Sequence, residues 1–110
     1  MAKDDYFVVA YQLLGWLYSR LKKGETAASA AELMQFGANI VPSYWMFILR
    51  TLSDEGYISG VEYTESFSGP ELNTSGVSIT VKGIEYLFSN TMMERVKKTL
   101  KDIKDIVPYM

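Results

Sequence analysis

The side chains that could do chemistry are carboxylates, lysines, serines and tyrosines, because the 110 residues hold no histidine and no cysteine. Zinc fingers, thiol catalysis, disulfide frameworks and every histidine-based triad are excluded at once. Glu62 and Glu65 are the nearest thing to a paired acid and base, and carboxylates so placed belong on a wet surface. Gly69-Pro70 and Gly83 form no phosphate-binding loop. Scattered acids alone make no metal site. The expectation is a protein that is not an enzyme and carries no cofactor or metal.

Recognition chemistry is the better lead. Ser43, Tyr44, Phe47, Arg50 and Thr51 fall on one face of an amphipathic segment, away from Trp45, Ile48, Leu49 and Leu52. In that position Arg50 can read a guanine through O6 and N7, or pair with Asp54 four residues on. Charge argues against strong duplex binding, which draws on Lys and Arg to neutralise phosphates. Between residues 36 and 73 Arg50 is the only base, against Asp54, Glu55, Glu62, Glu65 and Glu71. Tyr44, Met46 and Phe47 are bulky and off the apolar face, a pattern suited to a protein contact. Bases gather later, at Arg95, Lys97, Lys98, Lys101 and Lys104, with Lys22 and Lys23 earlier. Lys97, Lys98 and Lys101 are therefore the candidate backbone contacts to nucleic acid, on what is otherwise a solvated charged face.

The elements that must position these residues follow from periodicity and punctuation. Residues 4–23 read as a helix with acids at its start, bases at its end and Gly24 as the stop. Its apolar positions exceed one face, so it must be buried on more than one side. Residues 25–28 form a connector. Ser29 and Glu32 have the spacing of a capping box, opening a short helix to Phe36. Pro42 opens a third helix ending near Glu55. Residues 57–63 read as a strand with Gly60 as a bulge, 64–75 as a polar loop, and 76–80 as the returning strand. Thr80 caps a helix over 81–89, with Ile84, Leu87 and Phe88 inward. The last helix, 92–107, has Met93, Val96, Leu100, Ile103 and Val107 at heptad-like spacing.

Helices joined by a short turn and followed by a β-hairpin give an α+β winged helix-turn-helix: a three-helix core, a hairpin wing and additional C-terminal helices. One domain covers residues 1–110, its core at 4–89 and its C-terminal helix at 92–107. Two segments carry a resemblance beyond topology. Residues 52–61, LSDEGYISGV, are similar to the stretch leading from recognition helix to wing; residues 79–87, ITVKGIEYL, are similar to the one that closes the wing. With the opening MAKDDYF and the tail from Met92 through Lys104, the chain resembles the YjcQ family, small winged-helix proteins of Gram-positive bacteria and their prophages. The resemblance implies the fold and a link to mobile elements, and supplies no functional residues to transfer. A wing without Arg or Lys between residues 66 and 75 is a departure from a DNA-gripping hairpin.

The function expected is DNA binding or transcription regulation, with prophage association. The alternative is a protein-interaction module that keeps the scaffold and lacks its basic surface. Expected partners are duplex DNA, bound weakly without sequence preference, a protein partner, and a second copy of the chain. The homodimer rests on the apolar surplus of the first and last helices. With net charge -2, no cysteine, no signal-peptide pattern and no apolar run near the ~20 residues of a membrane span, a cytoplasmic protein off the membrane is expected.

Overall fold

The structure, a computed structural model, describes residues 2, 4–74 and 76–101, with the side chains of Pro70 and Lys101 outside that description. It is α+β. Among the described residues the order is α1 (Tyr6–Lys22), α2 (Ala30–Phe36), α3 (Pro42–Asp54), β1 (Ile58–Ser59), β2 (Glu62–Ser66), β3 (Gly69–Asn73), β4 (Ser78–Ile79), α4 (Val81–Ser89) and α5 (Thr91–Lys101).

The apolar surplus of α1 is answered within the chain. Val8, Val9, Ala10, Leu13, Leu14 and Leu17 are all buried, which needs cover around most of the helix. α3, β4, α4 and α5 all pack on it and supply that cover. Met93, Val96 and Leu100 of α5 are buried; Val96 and Leu100 close on Val8, Phe7 and Tyr11, and Met93 joins the main core. The seam that suggested a second copy is thus occupied by α1 as far as Leu100. Ile103 and Val107 lie outside the described residues.

Local signals explain the boundaries. Ser29 and Glu32 form the reciprocal capping box, with Glu32 N–H donating to Ser29 Oγ at 3.2 Å and Ser29 N–H to Glu32 Oε1 at 3.0 Å. Arg20 ties the end of α1 to this cap, 2.6 Å from Glu32 and 3.2 Å from Glu25. The Ser29 amide, the Ser29 hydroxyl and Arg20 together hold the Glu32 carboxyl below its ordinary pKa. Pro42 takes the first position of α3, where its missing N–H costs nothing. Asn90 Oδ1 accepts from Met92 N–H at 2.8 Å and Met93 N–H at 3.3 Å, so α5 begins at Thr91, a residue earlier than expected.

The strands differ most from expectation. β1 and β4 pair antiparallel with Ile58 opposite Ile79 and Ser59 opposite Ser78. Ile79 and Val77 are buried, so the alternation of the returning strand puts these two side chains in the core. Ala28 of the connector bridges Val77 and extends this ladder. The pairing does not run on to Tyr63. It breaks at Gly60 and Gly76, both at positive φ (91° and 82°), where a Cβ on Gly60 would collide with the Gly76 carbonyl. Beyond the break, the loop expected over 64–75 is mostly a second ladder, β2 with β3, from Glu62↔Asn73 to Ser66↔Gly69. The β2 side chains are exposed on both faces, so no apolar alternation announces the strand. Phe67 and Ser68 form its tip.

Two inward assignments also change. Trp45 is half-buried, lying at the edge of the core that Ile48, Leu49 and Leu52 close. Phe88 is 59% exposed, because the inner face of α4 is carried by Gly83 and Leu87 and turns Phe88 outward, its ring edge-on to Tyr18.

Candidate functional site

α3 brings most of the candidate residues onto one helix but splits them between two surfaces. Tyr44, Phe47 and Thr51 turn toward the start of α1. The Tyr44 hydroxyl donates to the Asp4 carbonyl at 2.7 Å, and burial with the nearby Asp4 and Asp5 raises its pKa. Phe47 meets the Tyr6 ring edge-on at 6.1 Å and stays 54% exposed. The Thr51 hydroxyl is 2.7 Å from the Tyr6 hydroxyl and 2.9 Å from the Phe47 carbonyl, so it is engaged inside the fold. Ser43 is exposed at the start of the helix.

Arg50 has both its neighbours close by. Its Nε lies 3.9 Å from Asp54, and its guanidinium sits 4.2 Å from the centre of the Tyr63 ring on β2. The cation is thereby drawn toward the hairpin base. Pairing with Asp54, one of the two readings of Arg50, is the arrangement present.

Met46 faces the other way, into a groove of about 850 Å³ between α2, α3 and the β2–β3 hairpin. Leu33, Gly37, Trp45 and Leu49 form the floor, with Met34 and Met46 at the helical lip. The floor exists because Gly37 has no side chain: a Cβ there would stand 2.5 Å from the Trp45 indole. Phe36 stacks on the same indole at 6.0 Å and on Trp16 at 4.9 Å, fixing the ring from beside. The far wall is the hairpin, where Leu72 also lines the groove although it pairs with Tyr63 on the other face. Antiparallel partners share a face, so Glu62 with Asn73 and Thr64 with Glu71 line it together. Two carboxylates thus stand diagonally across from an apolar floor. Sequence reading missed this groove. Its signal was the pair Gly37 and Trp45, whose contact no periodicity reveals, together with strand pairing that a polar hairpin conceals.

The basic candidates lie elsewhere. Lys97 and Lys98 are exposed on α5, which packs on α1 and α4. Lys101 is the last described residue of that helix. Lys97 and Lys22 border one hollow of about 280 Å³ with Tyr11, Tyr18 and Phe88, and Glu94 borders it too. Among the described residues no three Asp or Glu side chains gather as a metal site would require, and no helix is long and apolar enough to cross a membrane.

The two segments that carried the resemblance meet in space, and their joint role is structural. Thr80 Oγ1 donates to the Gly56 carbonyl at 2.6 Å and accepts from Gly83 N–H at 3.0 Å. Gly83 lies against the Tyr57 carbonyl where a Cβ would collide. Tyr57 and Tyr86 stack at 4.2 Å, and burial with the neighbouring Tyr57 pushes the Tyr86 hydroxyl up to about 12.

These features define a small α+β domain with a mixed apolar and acidic groove beside its third helix. The chain belongs to the YjcQ family, whose model, described as YjcQ protein, matches residues 11–106. It is similar to "Uncharacterized protein YjcQ" of Bacillus subtilis (strain 168), 43% identical over 54 residues, which are 49% of this chain and 55% of that protein. The chain therefore spans about half the length of the curated relative it matches. No solved structure matches it.

Proposed function

We propose that the chain is a winged-helix module that binds a protein through the face where such modules usually meet DNA. In this reading α2 and α3 are the helix-turn-helix and the β2–β3 hairpin is the wing. The observation that carries it is the charge and shape of that face. Residues 36–73 offer five acids and one base, that base is drawn to Asp54 and Tyr63, and the space between helix and hairpin is an apolar groove. A duplex demands the reverse, several unengaged bases along helix and wing. A cytoplasmic, prophage-linked setting belongs to the same proposal and rests on the family likeness.

The test is parallel capture from the host with wild type and Met46→Glu. A co-purifying protein lost with Met46→Glu, and DNA at background for both, is the expected result. Recovery of a discrete DNA set by wild type, lost with Arg50→Ala, would reverse the reading.

A second reading has one observation in its favour. Lys22 and Lys97 converge on one hollow and Lys98 is exposed on the same helix, so α5 could touch the backbone of a duplex without reading its sequence. That contact would be an accessory to the protein interaction.

A further inference from the structure

We infer that the occupant of the groove is a basic amphipathic segment of another protein, an apolar side inserted against Trp45 and a Lys/Arg side laid along the hairpin. The inference rests on the protein-binding reading and specifies its partner. The helical side of the groove is apolar and the hairpin side sets Glu62 and Glu71 among Thr64, Leu72 and Asn73, so an occupant that meets both carboxylates must present two chemistries at once. On the helical side Met34 is 73% exposed and Met46 half-buried, flexible thioethers that adapt to varied apolar side chains. Trp45 between them lies against Gly37, stacks on Phe36 and is half-buried in the groove lining. On the hairpin side Glu62 and Glu71 meet no base among the described residues; Glu71 accepts only a 3.4 Å bond from Ser68. Bases from a partner would complete both carboxylates, whereas an acidic segment or a phosphate backbone would be repelled by them.

A second copy does not fit this description. Among the described residues the most basic helix is α5, and its apolar side is already buried on α1 through Val96 and Leu100. Presenting it to a neighbouring groove would strip it from its own core. The groove volume, about 850 Å³, lies within the range of ligand-binding clefts, roughly 300–1,000 Å³. An amphipathic helix laid in an apolar groove is a recurring mode of peptide recognition.

The experiment uses the full chain labelled with ¹⁵N and follows the Trp45 indole N–H signal. Three synthetic peptides of about four helical turns are titrated: one with leucines and a phenylalanine on one face and lysines on the other, one with glutamates replacing those lysines, and one with the lysine peptide's composition scrambled to remove the apolar face. The lysine peptide is expected to shift the Trp45 signal, and the other two are not. Glu62→Gln with Glu71→Gln, both exposed, should weaken the lysine peptide about fivefold and flatten its salt dependence. Equal binding of the lysine and glutamate peptides would overturn the charge assignment. No shift with any peptide, while a captured protein still depends on Met46, would overturn the occupant and leave the protein-binding reading standing. A shift of the Trp45 signal with random duplex DNA alone, no peptide present, would overturn both.

Discussion

The indole of Trp45 lies so close to Gly37 that a Cβ at the glycine would stand 2.5 Å from the ring. Gly37 sits at φ -92°, an ordinary value for any residue, so its role is space and not backbone freedom. Gly37→Ala is therefore expected to push Trp45 out of the groove floor. Overpacking of this kind costs about 1–3 kcal/mol. Urea unfolding should show the loss, and of the two indole N–H signals in a ¹⁵N spectrum that of Trp45 should shift in the folded state. Unchanged stability with an unchanged Trp45 signal would mean that the ring is not fixed by this contact.

Thr80 joins the two motif segments through a donated and an accepted bond. Thr80→Ala removes a helix cap as well as the tie to Gly56 and should cost about 1–2 kcal/mol. Thr80→Ser keeps both bonds and should recover most of that. Thermal unfolding of the pair is the check. If serine rescues nothing, packing of the threonine methyl carries the effect.

How much of this was readable in advance differs by element. The capping box at Ser29 and Glu32, the Pro42 start, the Thr80 cap and the buried Ile79 were legible because each is a local rule written in adjacent residues. The β2–β3 ladder was not, since a hairpin wet on both faces has no alternation to read. Trp45 matched the helical period and still ended half-buried, because the helix wheel cannot report that Gly37 leaves room beside it. Tyr44, Met46 and Phe47 were singled out together as off the core face; Tyr44 is partly buried against the core, Phe47 is exposed, and their division between α1 and the groove depends on tertiary contacts.

Leu100 is 4% exposed and packs with Val8 and Val96. Leu100→Ala should destabilise by about 2–5 kcal/mol, and equally at low and high protein concentration. The expected homodimer drew on this seam, and as far as Leu100 the seam is filled by α1 of the same chain. Light scattering should then give the mass of one chain. A dimer whose stability rises with concentration and falls with Leu100→Ala would place the seam between copies.

Tyr86 has its hydroxyl pushed up to about 12, chiefly by burial and then by Tyr57. A raised folded-state pKa favours the protonated form in the fold. Its stabilising effect is complete below the ordinary tyrosine value near ~10 and is lost as pH rises toward 12. Absorbance at 295 nm (a tyrosinate signal) should show one phase delayed to this window and coupled to loss of circular dichroism. Tyr86→Phe should delete that delayed phase. Its survival in the variant would assign it to another tyrosine.

Generic duplex binding, if measured at low salt, should be weak and should depend on α5. Lys97→Glu with Lys98→Glu is expected to abolish it for all sequences alike, and Arg50→Ala to leave it almost unchanged. Two or three phosphate contacts imply a slope of about -2 to -3 in log K against log salt. A steeper slope that Arg50→Ala reduces would move the contact to α3.

The methionines give the most direct view of where a partner sits. Met34 and Met46 border the groove, whereas Met92 and Met93 belong to α5. Methyl-labelled methionine in the full chain, observed by NMR during titration with the captured partner protein, separates the two surfaces in one spectrum. The account predicts that the Met34 and Met46 methyl signals shift and broaden while Met92 and Met93 hold still. Movement of Met92 and Met93 with Met34 and Met46 unchanged would contradict it.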